Sequence, residues 1–256
     1  MGYFYFDESI HQRGDFILGT WVYSNDDLSP QVLHAIEAIG LTPGVDEFKS
    51  GRRMDREPQH QALRDALKNL LHRIKLGLVI IPMEDRSRLG DEALLGLNKI
   101  IRANDLIGCR HEIFFDQGVD FRNRQEAVQK ANRDLDVEIQ VDQDSRTIAG
   151  LQMADLAAHT MSVMLLETLG LVNKKVKAGP DSGYDPDLDI EIGFEMWATL
   201  RYQFFTQDSP DLDADPIEGF ILDTATYALY VSEHCPNHLR DAVMKRCGTN
   251  YVGCIH

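Results

Sequence analysis

Positive charge is scarce in this chain of 256 residues. Lys and Arg number 26 against 41 Asp and Glu, giving a formal net charge of -15. That balance argues against a protein that coats nucleic acid by its surface field alone. Cysteine is scarce as well. Cys109, Cys235, Cys247 and Cys254 are too few and too unevenly spaced for a disulfide framework, so a reducing, cytoplasmic setting is expected. No run approaches the roughly 20 apolar residues that span a bilayer, and no membrane association is expected. No basic segment precedes an apolar stretch at the N-terminus, so no secretory signal is expected. Neither G-x-x-x-x-G-K-[ST] nor G-x-G-x-x-G occurs, which removes support for a nucleotide-driven motor or a dinucleotide enzyme. Ser9 and His11 lack a nucleophile elbow. Cys235, His238, Cys247, Cys254 and His256 do not repeat a zinc-finger spacing and read as free thiols with unrelated histidines. Asp185 to Glu191 alternates acids like a calcium loop, but Ile190 stands where the sixth-position glycine belongs.

Apolar residues make up 43% of the chain, enough for a sizeable core. Residues 3–7 read as a strand that ends in acid, and residues 15–23 as a second strand joined to it by a hairpin around Arg13-Gly14. Ser29-Pro30 opens a helix to about Ile39. Helical spacing recurs over 58–73, 91–107, 120–134 and 147–169. Continuous apolar or β-rich runs mark strands at 76–82, 111–117 and 137–141. The alternation predicts an α/β layer structure, with helices packed on a mixed sheet. The texture changes after Gly170. Residues 180–220 hold 11 acids and one base, Arg201, interrupted by the aromatic run "FEMWATLRYQFF". Residues 221–231 and 238–246 read as closing helices.

Acids recur where sheets usually present ligands. Asp7 and Asp116 each follow a run of strand residues, and ligands of α/β sheets sit at the carboxyl ends of strands. The helix "IAGLQMADLAAHTMSVMLL" has few polar residues. Gln152, Asp155, His159 and Ser162 fall three, four and three apart, on one face. That stripe is either a narrow solvent face or a face that presents Asp155 inward to Asp7 and Asp116. In "VDEFKSGRR", Glu47 and Lys49 flank Phe48 and would point the same way in an extended segment; an ordinary loop ion pair is the alternative. Lys49, Ser50, Gly51, Arg52 and Arg53 are also a candidate basic lining. Clustered carboxylates repel one another and are normally neutralised by cations. Oxygen-only ligands favour Mg²⁺ or Mn²⁺, and a pair of such ions can cleave a phosphodiester.

The segments "FDES" at 6–9, "EFK" at 47–49, "FFDQ" at 114–117 and "LQMADLAAH" at 151–159 together resemble the domain-of-unknown-function 3800 family, which is similar in turn to the ribonuclease H-like superfamily. The resemblance spans roughly residues 1–170. It implies a ribonuclease H-like α/β domain: a mixed five-stranded sheet flanked by helices, with metal-binding acids on the first strand, the fourth strand and a late helix. By motif these are Asp7, Asp116 and Asp155, with Glu47 as a fourth ligand and Glu8 as a neighbour. Residues 171–256 are then an acidic insertion and a mainly helical extension packed on that domain.

The function expected is a nuclease dependent on Mg²⁺ or Mn²⁺, acting on RNA or DNA. Asp7, Asp116, Asp155 and Glu47 hold the metal, and Lys49 contacts the scissile phosphate or orients Glu47. His159 either shuttles protons or packs in the core. A phosphatase acting on small esters is a second enzymatic alternative. The alternative from another class is a catalytically inactive ribonuclease H-like scaffold in a multi-protein system. Residues 180–220 are expected to dock through Phe194, Trp197, Leu200, Tyr202 and Phe204, either on the core or on a protein partner or second copy.

Overall fold

The opening residues, Gly2–His11 (β1), lie in the middle of a sheet, and their composition explains why. Phe4, Tyr5 and Phe6 are fully buried. β1 turns back into Phe16–Ser24 (β2), buried at every position. Such a strand must be covered on both faces. The computed structural model describes residues 1–52, 56–179, 184–206 and 221–252. Arg53, Cys254, His256 and the acids between 207 and 220 lie outside the described residues, as does Asp181.

The chain continues through Ser29–Ala38 (α1), Pro58–Lys68 (α2), Lys75–Pro82 (β3), Leu89–Ala103 (α3), His111–Asp116 (β4), Arg124–Leu135 (α4), Val137–Gln143 (β5) and Leu151–Thr168 (α5). Beyond it come Lys175–Lys177 (β6), Asp189–Glu191 (β7), Ile192–Leu200 (α6), Ile221–Asp223 (β8), Thr224–Tyr227 (α7), Leu229–Val231 (β9), Asn237–Cys247 (α8) and Thr249–Tyr251 (β10). The main sheet has six strands in the order β5-β4-β1-β2-β3-β9. β2 runs antiparallel to β1 and β3; the β1–β4, β4–β5 and β3–β9 pairs are parallel. The fold is therefore mixed α/β.

Alternation along β1 assigns the two faces. Phe6 packs on Trp21, whose indole donates to Ala93 O of α3 at 3.0 Å, so the even-numbered residues face α3. The odd-numbered residues face α5. Tyr5 sits so close to Gly150, just ahead of α5, that a Cβ there would lie 2.3 Å from the ring. Thr20, paired with Asp7, donates to Ala154 O of α5 at 3.0 Å. Glycine at 150 thus lets the helix start directly on the sheet.

Four expectations need correction. β1 does not end at the acids but continues to His11. Asp7 marks another boundary: the ladder with β4 covers Gly2 to Phe6 only, so beyond Phe6 the strand is paired on the β2 side alone. The sheet has six strands rather than five, the sixth coming from beyond residue 170. Residues 221–231 are not one helix but strand, single helical turn and strand, because the outer edge of β3 needs partners. Leu78 N donates to Ala228 O at 2.6 Å and Ser232 N to Ile80 O at 2.9 Å, while Gln203 and Phe205 serve Leu76. Tyr202 is not part of the aromatic anchor, being 52% exposed. Met196, Leu200, Phe204 and Phe205 are buried instead, and α6 packs on α5 of the same chain. The guanidinium of Arg201 stacks over Trp197 at 5.0 Å.

Candidate functional site

Three elements bring acids to the point where β1 and β4 part. Asp7 comes from β1. Asp116 ends β4 just past a register shift against β5. Asp155 comes from the second turn of α5 and is 8% exposed, as is Asp116. The stripe on α5 therefore faces inward: Gln152 and Ser162 are fully buried. The loop carrying Glu47 and Lys49 closes over the acids. Phe48 is 1% exposed and anchors the loop, leaving its two charged neighbours on one side.

Burial and mutual repulsion set the electrostatics. Burial foremost, then the charges of Asp155, Glu8 and Asp116, raise the Asp7 carboxyl well above the ordinary carboxylate range. One bond opposes this, from Glu8 N to Asp7 Oδ1 at 2.7 Å. Burial also raises Asp116, against the lowering charge of Lys49. Asp155 is raised by burial and relieved by Ser50, whose N donates to Oδ2 at 2.9 Å and whose hydroxyl donates to Oδ1. Glu8 points to the opposite face of the sheet, where burial and Asp116 push it up to about 7 and one carboxylate oxygen has no hydrogen bond.

The cation among these acids is Lys49. Its ammonium lies 3.6 Å from Asp116 Oδ2 and 3.7 Å from Glu47 Oε2, and donates to Ser145 Oγ at 3.2 Å. Burial lowers its pKa, yet Asp116, Glu47, Asp7 and Asp155 together bring the net shift upward, so the charge is retained. Ser145 in turn donates to Glu47 Oε2 at 2.5 Å. Gln152 fixes the assembly: its oxygen accepts from Phe48 N at 2.8 Å and its amide donates to Ser145 O at 2.9 Å.

The structure thus brings Asp7, Glu47, Lys49, Asp116 and Asp155 into one neighbourhood. It does not draw the acids into a coordination shell. Among the described residues, no group of three or more His, Cys, Asp or Glu is placed to hold a metal ion. Lys49 and Ser50 instead engage carboxylate oxygens of Glu47, Asp116 and Asp155. Nor is the segment 49–52 a free basic lining. Lys49 faces the acids, and Arg52 pairs with Glu57 at 3.3 Å and contacts His60. Sequence reasoning placed Ser50 only in a candidate basic lining and missed Ser145. Serine in a polar loop carries no periodic signal; only Gln152, in step with Asp155, was marked by its spacing.

Three comparisons bear on this arrangement. No protein-family model matches the chain, and no curated protein matches it. The resemblance to the domain-of-unknown-function 3800 family accordingly rests on the quoted motifs alone. Among solved structures, a chain from the complex of PCNA with RNase HII of Archaeoglobus fulgidus aligns over 73% of this chain and 84% of its own, with a TM-score of 0.35 and 9% identity.

Proposed function

We propose that the chain is a divalent-metal-dependent nuclease that hydrolyses phosphodiester bonds at the Asp7, Asp116 and Asp155 cluster. The observation that carries this reading is the convergence of the buried Asp116 and Asp155 and the half-buried Asp7, from β4, α5 and β1, where the β1–β4 ladder ends. Burial raises all three above the ordinary range, a state that a bound cation relieves. The donor set fits Mg²⁺ or Mn²⁺: it is all oxygen, and an ammonium already serves as counter-cation to the same groups. Asp7, Asp116 and Asp155 would hold the ions, with Glu47 as a fourth ligand. A bound pair would supply an activated water and stabilise the leaving oxygen. The protein's own part is positional. Gln152 and Phe48 hold the loop, Ser50 orients Asp155, and Lys49 turns from the carboxylates to the scissile phosphate. In this reading residues 1–170 carry the chemistry, and the described residues beyond 170 complete the sheet at β3.

The test is cleavage of RNA, single-stranded DNA and duplex DNA with Mg²⁺, Mn²⁺ or EDTA. Metal-dependent cleavage that falls at least about a hundredfold in Asp7→Asn is expected, a loss of roughly 3 kcal/mol of transition-state stabilisation. Cleavage that persists in EDTA and in Asp7→Asn rejects the mechanism. Small phosphate esters in the same panel separate a phosphatase.

One observation favours a second reading, a non-catalytic scaffold of the same fold: Lys49 already serves as counter-cation to Asp116 and Glu47, and Ser50 hydrogen-bonds Asp155. Mg²⁺ or Mn²⁺ would then leave the melting temperature unchanged, whereas binding to the folded state raises it.

A further inference from the structure

β5 carries one residue more than the strand it pairs with. Phe114 of β4 stands opposite Gln140 and Asp116 opposite Gln143, so Phe115 alone faces the two residues Val141 and Asp142. Such a bulge is rare between parallel strands, and it bends the strand that holds the extra residue. Asp142 accommodates it by adopting the left-handed conformation, with φ at 55°. Asp15, Asp105 and Asp136 also have positive φ, but each lies in a turn; Asp142 is inside a strand. A side chain is strained in that conformation, with Asn and Asp the most tolerant after glycine. Strain of this kind persists only where the surroundings over-determine it.

Those surroundings close on themselves. Arg124, the first residue of α4, donates to both carboxylate oxygens of Asp142, Nη1 to Oδ2 and Nη2 to Oδ1 at 3.4 Å. Its guanidinium lies 5.7 Å from the centre of the Phe121 ring. Phe121 packs at 5.4 Å on Phe115, the residue opposite the bulge. The ion pair is exposed, and such pairs add little to global stability, so its effect is local.

The extra residue changes which side of β5 the later residues face. Side chains alternate along a strand. Phe114 stacks on Tyr5 and so faces α5, with Gln140 beside it. An unbulged strand would place Asp142 and Asp144 on that side and send Gln143 and Ser145 to the other. With the bulge, Gln143 stands beside Asp116. Ser145, two residues on, then meets Lys49 Nζ at 3.2 Å and Glu47 Oε2 at 2.5 Å, and its carbonyl accepts from the Gln152 amide at 2.9 Å.

We propose that Asp142 is a positioning residue: its left-handed backbone, held by Arg124, phases the end of β5 so that Ser145 meets the loop that closes over the acid cluster. This rests on the nuclease reading only for what Glu47 and Lys49 then do. The phasing itself stands on strand register and on the contacts of Ser145.

Hydrogen exchange on the full chain tests it, with Asp142→Gly, Asp142→Asn, Asp142→Val and Asp142→Ala. Gly and Asn take the left-handed conformation readily; Val and Ala do not. The amides of Phe48 and Ser50 should exchange about tenfold faster in Asp142→Val, with the β1–β2 ladder as protected as in the wild type. Asp142→Gly and Asp142→Asn should keep wild-type rates. Asp142→Ala carries the same test where Asp142→Val does not fold. Wild-type exchange in a folded Val or Ala variant overturns the proposal. So does an Asn variant as loose as Val, which would assign the effect to charge rather than to backbone conformation. Cleavage in Mg²⁺ is scored separately. The expected order of exchange rates without cleavage by any of the proteins leaves the phasing standing and removes the nuclease reading; cleavage by the wild type without that order removes the phasing alone.

Discussion

Glu8 and Asp7 are adjacent on β1 yet meet different environments, because successive side chains leave a strand on opposite faces. Glu8 is held on the α3 face with an unsatisfied oxygen and a pKa pushed up to about 7 by burial and by Asp116. A carboxyl that holds its proton more tightly when folded contributes stability in full below its unfolded value near 4.5. That contribution is lost as pH rises through about 7. Glu8→Gln copies the protonated form at every pH. The variant should match the wild type near pH 4 and exceed it by about 1–2 kcal/mol at pH 8, discounting for partial exposure. Urea denaturation across that range, without metal, reads the difference; parallel curves for the two proteins would refute the assignment. Asp155 was legible from sequence because its helix offers so few polar residues that their three- and four-residue spacing stands out. Ser50 and Ser145 were not, because nothing local separates a serine that holds a carboxylate from one that faces water.

The loop 47–50 and α5 work as a pair, joined by one buried amide. Gln152→Ala would strand Phe48 N–H and Ser145 C=O, two groups that water reaches poorly. Leaving two such groups unpaired costs about 2–4 kcal/mol. The loop should also loosen, which hydrogen exchange at Phe48 and Ser50 would detect as lost protection while the β1–β2 ladder stays protected. Equal protection in wild type and variant would show that the loop is held by Phe48 packing alone. At this scale the long helices and apolar strands were readable, since period and length agree. The errors fell where pairing outweighs local preference. Asp7 is a poor strand residue, yet β2 carries the strand on to His11. Residues 221–231 look helical in isolation, but the open edge of β3 recruits them.

The whole molecule is tied together at that edge. β3 is buried at every position but its first, and its outer side is completed by residues 203–205 and by β9. A chain cut after residue 170 would present β3 as a long, flat, apolar edge, the usual seed of aggregation. We predict that residues 1–170 expressed alone are insoluble or self-associate on sizing, whereas a chain ending after Ser232 is more soluble; a monodisperse 1–170 fragment would refute this. The same edge has a consequence for biosynthesis. Leu78 must wait for Leu229, roughly 150 residues further along, and translation at about 5–20 residues per second makes that wait on the order of ten seconds. The β1–β2–β3 meander emerges early and can pair locally, but its last strand stays open on the ribosome until the C-terminal segment arrives. Codon usage or chaperone supply over residues 83–232 should therefore govern the yield of folded protein more than any change within the meander itself.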